Sequence, residues 1–151
     1  YFGNVNVSKL GGKPVGVGGF VNITQNAKKV VFCGTFTAAG LKEEIRDGKL
    51  VILQEGKAKK FKNKIDQISF SGAVSTKNKQ PVLYVTERAV FELEDGKLTL
   101  TEIAPGIDLE KDILNQMEFK PEIAADLKGM DLNMFQQNWG GLKEIIYSKH
   151  R

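Results

Sequence analysis

Histidine and cysteine are almost missing from this chain, with one of each, His150 and Cys33, among 151 residues. A Ser-His or Cys-His nucleophile system needs an imidazole to take the proton. His150 stands one residue from the end of the sequence, where chains fray, which argues against that chemistry. No Cys/His cluster has zinc spacing, so no metal is expected. A lone cysteine excludes an internal disulfide and fits a reducing compartment; inside the apolar run Val30–Cys33 it reads as a buried small hydrophobe. No run approaches the ~20 apolar residues that cross a bilayer, and no basic-then-apolar leader opens the sequence. The expectation is a cytoplasmic protein with no membrane partner. Arginine is scarce (Arg46, Arg88, Arg151). No Walker-type loop occurs, and no glycine cluster completes the G-x-G-x-x-G dinucleotide fingerprint.

What is present suits a soluble globular domain, with 41% apolar and 26% charged residues. The length fits one domain with its own core. The formal charge of +4 is gathered in Lys57–Lys64, KAKKFKNK. Such a run is a solvated face, an edge-strand guard or a polyanion site. No aromatic ladder interleaves it, so nucleic acid is not an expected partner. The sequence begins at Tyr1, without a methionine, inside a strand-like segment, which reads as a piece of something longer.

The richest stretch is Pro14–Gly40. It opens on Gly16-Val17-Gly18-Gly19, continues through a short helical segment (Phe20–Ala27) and an apolar strand (Val30–Phe32), and closes on a small-residue loop (Gly34–Gly40). Glycines at 16, 18 and 19 let the backbone adopt positive φ and bring amide N–H groups close to a ligand. At a helix start those amides would suit an anion or a developing oxyanion. Glycine clusters also serve as plain turns.

Around that stretch the expected fold is α/β, a mixed sheet with a βαβ unit and antiparallel hairpins. Val5 and Val7 alternate with polar residues as a half-buried strand, which with the helix and Val30–Phe32 makes the βαβ unit. Leu41–Arg46 suits a helical turn or a strand. Asp47-Gly48 and Asp95-Gly96 are hairpin turns between strand-forming residues. Leu50–Leu53, Phe61–Ser71 (Ile68 and Phe70 on one face), Val82–Val85, Ala89–Leu93 and Leu98–Ile103 read as strands, and Gly72–Pro81 as a polar loop. Asp108 caps an expected helix over Leu109–Met117 with a core-facing stripe. Phe119–Lys128 is ambiguous, and the tail from Gln136 reads as a docked or dimer-contacting helix after a Gly140-Gly141 break.

Carboxylates are the remaining chemical candidates. Glu55, at the end of an apolar strand beside Gly56, has the local look of a presented nucleophile or base, but the ordinary strand-to-turn glutamate is the favoured reading. Glu87, next to Arg88 between two strands, reads as a structural ion pair or a hydrogen-bonded strand-end group.

The segment GNVNVSKLGG…GVGGFVNITQNAKKVVFCGTFTAAGL resembles the family I coenzyme A transferases, closest to the bacterial acyl-CoA:acetate/3-ketoacid members. KLVILQEGKAKKF, QISFSG, PVLYVTERAVFEL and LTEIAPGIDLEKDIL follow in that family's order. The resemblance spans roughly residues 3 to 135. It implies residues 1–135 to be the incomplete C-terminal portion of a CoA-transferase-type α/β domain, with 136–151 a tail. In that family a glutamate attacks the acyl-CoA carbonyl, passing through an acyl anhydride and a glutamyl-CoA thioester before CoA moves to an acceptor carboxylate. The family's G-x-G-G loop, beside that thioester, matches Gly16, Val17, Gly18 and Gly19. Its nucleophilic glutamate lies upstream of this chain, and Glu55 does not inherit the role. No catalytic residue is therefore expected here. Thr35, Phe36, Gly40 and Lys42 are expected in the pocket wall, past the end of the βαβ strand where α/β sheets gather ligands. The implied partners are acyl-CoA (CoA being substrate, not resident cofactor), a small carboxylate, the remainder of the polypeptide and further copies in a homo-oligomer. The alternatives are a non-catalytic CoA-binding or assembly module and a polyanion-binding β-rich domain using Lys57–Lys64.

Overall fold

The computed structural model describes residues 1–136, 138–139 and 141–148. His150, raised above as a possible base, lies outside the described residues, as do Gly140 and Arg151.

The described residues build α1 (Phe20–Gln25), α2 (Gly72–Lys77) and α3 (Leu142–Ser148) among eleven strands. A small hairpin, β1 (Lys9–Leu10) and β2 (Lys13–Pro14), leads into the glycine loop. The main sheet uses β3 (Val30–Cys33), β8 (Val82–Val85), β9 (Ala89–Glu94), β10 (Lys97–Ile103) and β11 (Glu122–Gly129). Their order is β11-β10-β9-β8-β3. β3 runs parallel to β8 and β10 to β11, while β8-β9 and β9-β10 are antiparallel. The sheet is mixed, as the sequence implies. Between β3 and β8 are inserted the pair β4 (Thr37–Ala38) with β7 (Ala58–Lys59) and the hairpin β5 (Lys42–Arg46) with β6 (Lys49–Gln54).

Register explains the core. Phe32, Tyr84, Phe91 and Leu100 stand in one row across the sheet, and Val31, Leu83, Glu92 and Thr99 in the next. Because side chains alternate along a strand, the first row faces inward. Phe91 and Leu100 are fully buried there, Tyr84 nearly so. Aromatic rings fill this layer: Phe32 lies edge-on to Phe70 at 4.9 Å, and Phe36, Phe61 and Phe91 pack within 4.7 to 6.2 Å of one another. Burying such rings supplies about 2–3 kcal/mol each relative to exposure. A smaller cluster, Leu50, Ala104, Met130 and Phe135, anchors the β5-β6 hairpin.

Both Asp-Gly pairs make the expected turns. Asp47 and Asp95 take φ of 52° and 47°, each followed by a glycine at 72° or 78°, the doubly left-handed geometry of a tight hairpin. Of Leu41–Arg46, Lys42–Arg46 forms strand β5.

Several expectations are corrected. Val5–Val7 makes no ladder; Val5 forms one isolated bridge, to Phe70. The parallel unit exists but joins β3 to β8 through α2, so Gly72–Pro81 holds a helix, capped when Ser71 Oγ accepts from the Val74 amide. Phe61–Ser71 is not a strand; Phe70 is buried but Ile68 is exposed. Leu109–Met117 is a π-helical turn (Leu109–Ile113) followed by a 3₁₀ turn (Leu114–Gln116). Asp108 does cap it, accepting from the Lys111 amide at 2.7 Å, and Ile113 and Met117 enter the core. The ambiguous Phe119–Lys128 stretch contains most of β11. Cys33 is exposed, because the sheet's second face at β3 carries Val31 and Cys33 uncovered. The tail does hold a helix, α3, on which Leu142, Ile145 and Ile146 are exposed.

Candidate functional site

Two parallel neighbours, β3 and β8, end side by side, and the loops that follow them meet. The Gly34 amide donates to the Val85 carbonyl at 3.1 Å, extending the ladder by one step. Beyond it, residues 34–40 leave β3 and residues 86–88 turn β8 into β9. In α/β sheets this carboxyl end is where ligands bind.

The glycine loop points to the same end. Phe20, the first residue of α1, stacks on Phe32 near the end of β3 at 5.8 Å. The last turn of α1 is tied to the opposite end, where the Gln80 amide group donates to the carbonyls of Thr24 (2.9 Å) and Ala27 (2.6 Å) just before β8. α1 therefore runs back along β3 and presents Gly16–Gly19 at the carboxyl side. Gly16 and Gly18 take φ of 91° and 50°, which a Cβ makes costly; Gly19 does not, at −83°. All four loop residues are exposed, and a Cβ on Gly16 or Gly18 would meet nothing within 4 Å. The Gly16 amide reaches the Ser8 carbonyl at 3.3 Å, whereas the amides of Val17, Gly18 and Gly19 have no acceptor among the described residues. Successive exposed N–H groups without an acceptor have the chemistry to receive an oxyanion or phosphate.

The loop after β3 is built differently from expectation at one position. Thr35, Gly40 and Lys42 are exposed, but Phe36 is fully buried and belongs to the core. Lys60, from the basic run, donates Nζ to the Thr35 carbonyl at 2.6 Å, and Lys59 donates to the Asn115 carbonyl at 2.6 Å. Two lysines of KAKKFKNK thus fasten the chain's own backbone.

Beneath this loop lies a group that the sequence only half revealed. Arg88 is completely buried. Its Nη1 and Nη2 donate to the two Glu55 carboxylate oxygens at 2.7 and 3.2 Å, and its Nε to Glu87 at 2.6 Å. Nη1 also donates to the Asp112 carbonyl at 3.1 Å. The Glu87–Arg88 ion pair was expected; the second carboxylate was not. Glu55 further accepts from the Thr37 hydroxyl and the Gly56 amide. Burial pushes the Glu55 carboxyl up, but hydrogen bonds from Arg88 and Thr37, the Arg88 charge and the Gly56 amide outweigh it and hold it below the usual carboxylate range. For Arg88 burial acts downward, and the two carboxylates raise it further above its already high value. A carboxylate so clamped is a poor nucleophile. In this arrangement Glu55 is the bidentate ion-pair partner of Arg88. Among the described residues, no three His, Cys, Asp or Glu side chains gather as a metal site would require.

No family model matches the chain. It is 54% identical over 149 residues to caffeate CoA-transferase of Acetobacterium woodii, covering 95% of this chain and 28% of that protein. It is 53% identical over 133 residues to acetate CoA-transferase YdiF of Escherichia coli K12, covering 88% of this chain and 25% of that protein. The crystal structure of acyl-CoA transferase YdiF from E. coli O157:H7, a thioester complex with CoA, superimposes with a TM-score of 0.91 at 50% identity, over 93% of this chain and 28% of that one. The apoenzyme of the same protein superimposes equally well, with a TM-score of 0.91. The chain spans about a quarter of the length of the relatives it matches. In sequence and in fold it corresponds to the C-terminal part of a coenzyme A transferase.

Proposed function

We propose that this chain is the CoA-facing part of an enzyme that moves CoA between a short-chain acyl-CoA and an acceptor carboxylate. The supporting observation is the exposed Gly16–Gly19 loop, whose amides at Val17, Gly18 and Gly19 have no acceptor among the described residues. The nucleophilic glutamate belongs to polypeptide upstream of Tyr1. When it attacks the thioester, the carbonyl oxygen gains charge, and preorganised amides stabilise that charge without reorganising. The exposed Thr35, Gly40 and Lys42 form the wall beside the loop. Residues 1–135 are then an incomplete share of the transferase domain and 136–151 its tail. The remaining polypeptide covers the open sheet face at Val31 and Cys33, copies assemble as a homo-oligomer, and the reaction runs in the cytoplasm.

The test is the intact mass of this chain after incubation with a short acyl-CoA, before and after hydroxylamine, paired with CoA titration of the complete polypeptide. The chain alone is expected to carry no CoA adduct. The complete polypeptide is expected to bind CoA, and Gly18→Val to weaken that binding at least about tenfold by blocking the amides. A hydroxylamine-labile adduct on Glu55, or unchanged affinity in Gly18→Val, would sink the reading.

A further inference from the structure

We propose that Arg88 is a positioning residue for the acyl-CoA site, setting the Thr35–Gly40 loop through the two carboxylates it binds. The proposal rests on the reading of that loop as a wall of the CoA site.

Each carboxylate held by Arg88 also accepts a hydrogen bond from the loop. Glu87, on Nε through one oxygen, accepts the Phe36 amide at 2.8 Å through the other. Glu55, gripped by Nη1 and Nη2, accepts the Thr37 hydroxyl. The guanidinium carbon also sits 5.1 Å from the centre of the Phe36 ring, on which a cation is attracted by the π face. One buried group therefore fixes a main-chain N–H, a side-chain hydroxyl and an aromatic ring at two successive residues. The loop needs such fixing, because Ala39 takes φ of 62° and Gly40 99°. A non-glycine residue in the left-handed region costs about 1–2 kcal/mol and persists only where its surroundings over-determine it. Further ties come from the β4-β7 pair, from Lys60 on the Thr35 carbonyl, from the Thr35 hydroxyl on the Thr37 carbonyl, from the Gly56 amide on the Thr37 hydroxyl, from the Lys57 amide on the Ala39 carbonyl and from the Gln54 side-chain amide on the Gly40 carbonyl.

Only arginine meets this geometry. Its planar fork reaches one carboxylate with two N–H groups while Nε serves another, whereas the lysine ammonium is a single point charge on a flexible stem. Arg88→Lys keeps the charge and removes the fork, so it separates positioning from charge balance.

The experiment uses the complete transferase polypeptide, wild type and Arg88→Lys. Hydrogen exchange is followed over residues 35–40, and KM for acyl-CoA and kcat are measured separately. Expected are faster exchange confined to that loop and an acyl-CoA KM raised about tenfold, since small misplacements of binding groups cost that much or more. Unchanged exchange in the loop of a folded variant overturns the proposal. Faster exchange with unchanged KM overturns the link to the acyl-CoA site; the Gly18→Val titration above then tells whether the glycine-loop reading survives without it. If Arg88→Lys does not fold, Thr37→Val removes one loop donor to Glu55 while leaving the ion pairs, and the same two readings decide by the same criteria.

Discussion

At Gly56 the scale of single atoms decides the shape of the site. An added Cβ would lie 2.4 Å from the Ala38 carbonyl oxygen and 2.6 Å from Thr37 Oγ1, inside any allowed contact. The obstacle is backbone, so it cannot turn aside. Gly56→Ala is expected to destabilise the fold by about 1–3 kcal/mol, as overpacking does, readable as a fall in the urea midpoint. Its neighbour Glu55 supplies a pH signature. A carboxyl of this kind titrates near ~4.3 when unfolded, and in the fold it lies lower because Arg88, Thr37 and Gly56 favour its anion. The unfolded chain then binds the proton first, so the Glu55 contribution is full above ~4.3 and lost as pH falls through the folded value. Urea midpoints measured from pH 6 down to pH 3 should fall for the wild type, and Glu55→Gln should remove part of that dependence while lowering stability at pH 6. Neither constraint was visible in sequence. Glu55 and Arg88 are 33 residues apart and Phe36 and Glu87 are 51 apart. No local pattern links them, and only the adjacent Glu87–Arg88 pair announced itself.

Elements obeyed the sequence where their energies are local. The Asp-Gly turns formed because an aspartate and a glycine tolerate the left-handed pair that a tight hairpin requires. Asp108 capped its turn because a short acceptor at that position satisfies a free amide. Asp108→Ala is expected to cost about 1 kcal/mol, seen as a lower thermal midpoint. The turn it caps nevertheless became π-helical and then 3₁₀, since Ile113 and Met117 are set by the core beneath them rather than by helical propensity. Phe61–Ser71 shows the same override. Its alternation suggested a strand, yet Phe61 and Phe70 are each drawn separately into aromatic packing, and among the described residues only the isolated Val5–Phe70 bridge pairs with the stretch. α2 was missed because its six residues, GAVSTK, carry too short a pattern to stand out from a polar loop.

For the whole molecule, the telling feature is a sheet covered well on one face and sparsely at β3 on the other. Parallel strands are ordinarily buried on both sides, yet Val31 is 48% exposed beside Cys33. Val31→Lys in this chain alone should therefore change stability by no more than about 0.5 kcal/mol, the range of exposed positions. The same substitution in the complete polypeptide should reduce soluble, folded protein, measured by size-exclusion chromatography. Equal behaviour in both would refute the covering proposed for this face.

The Asp-Gly turns, the Asp108 cap and the backbone of the glycine loop were set by residues acting on their neighbours, because turn and cap energies depend on a few dihedrals at a time. The glycine loop was readable for the same reason: Gly16 and Gly18 need their backbone freedom whatever surrounds them. Which strands became parallel partners, which side of β3 stayed open and how Arg88 gathered Glu55, Glu87 and the loop above them depended on packing between distant segments. A buried guanidinium is tolerable only where its carboxylates arrive from elsewhere in the chain, and only the folded arrangement brings them there.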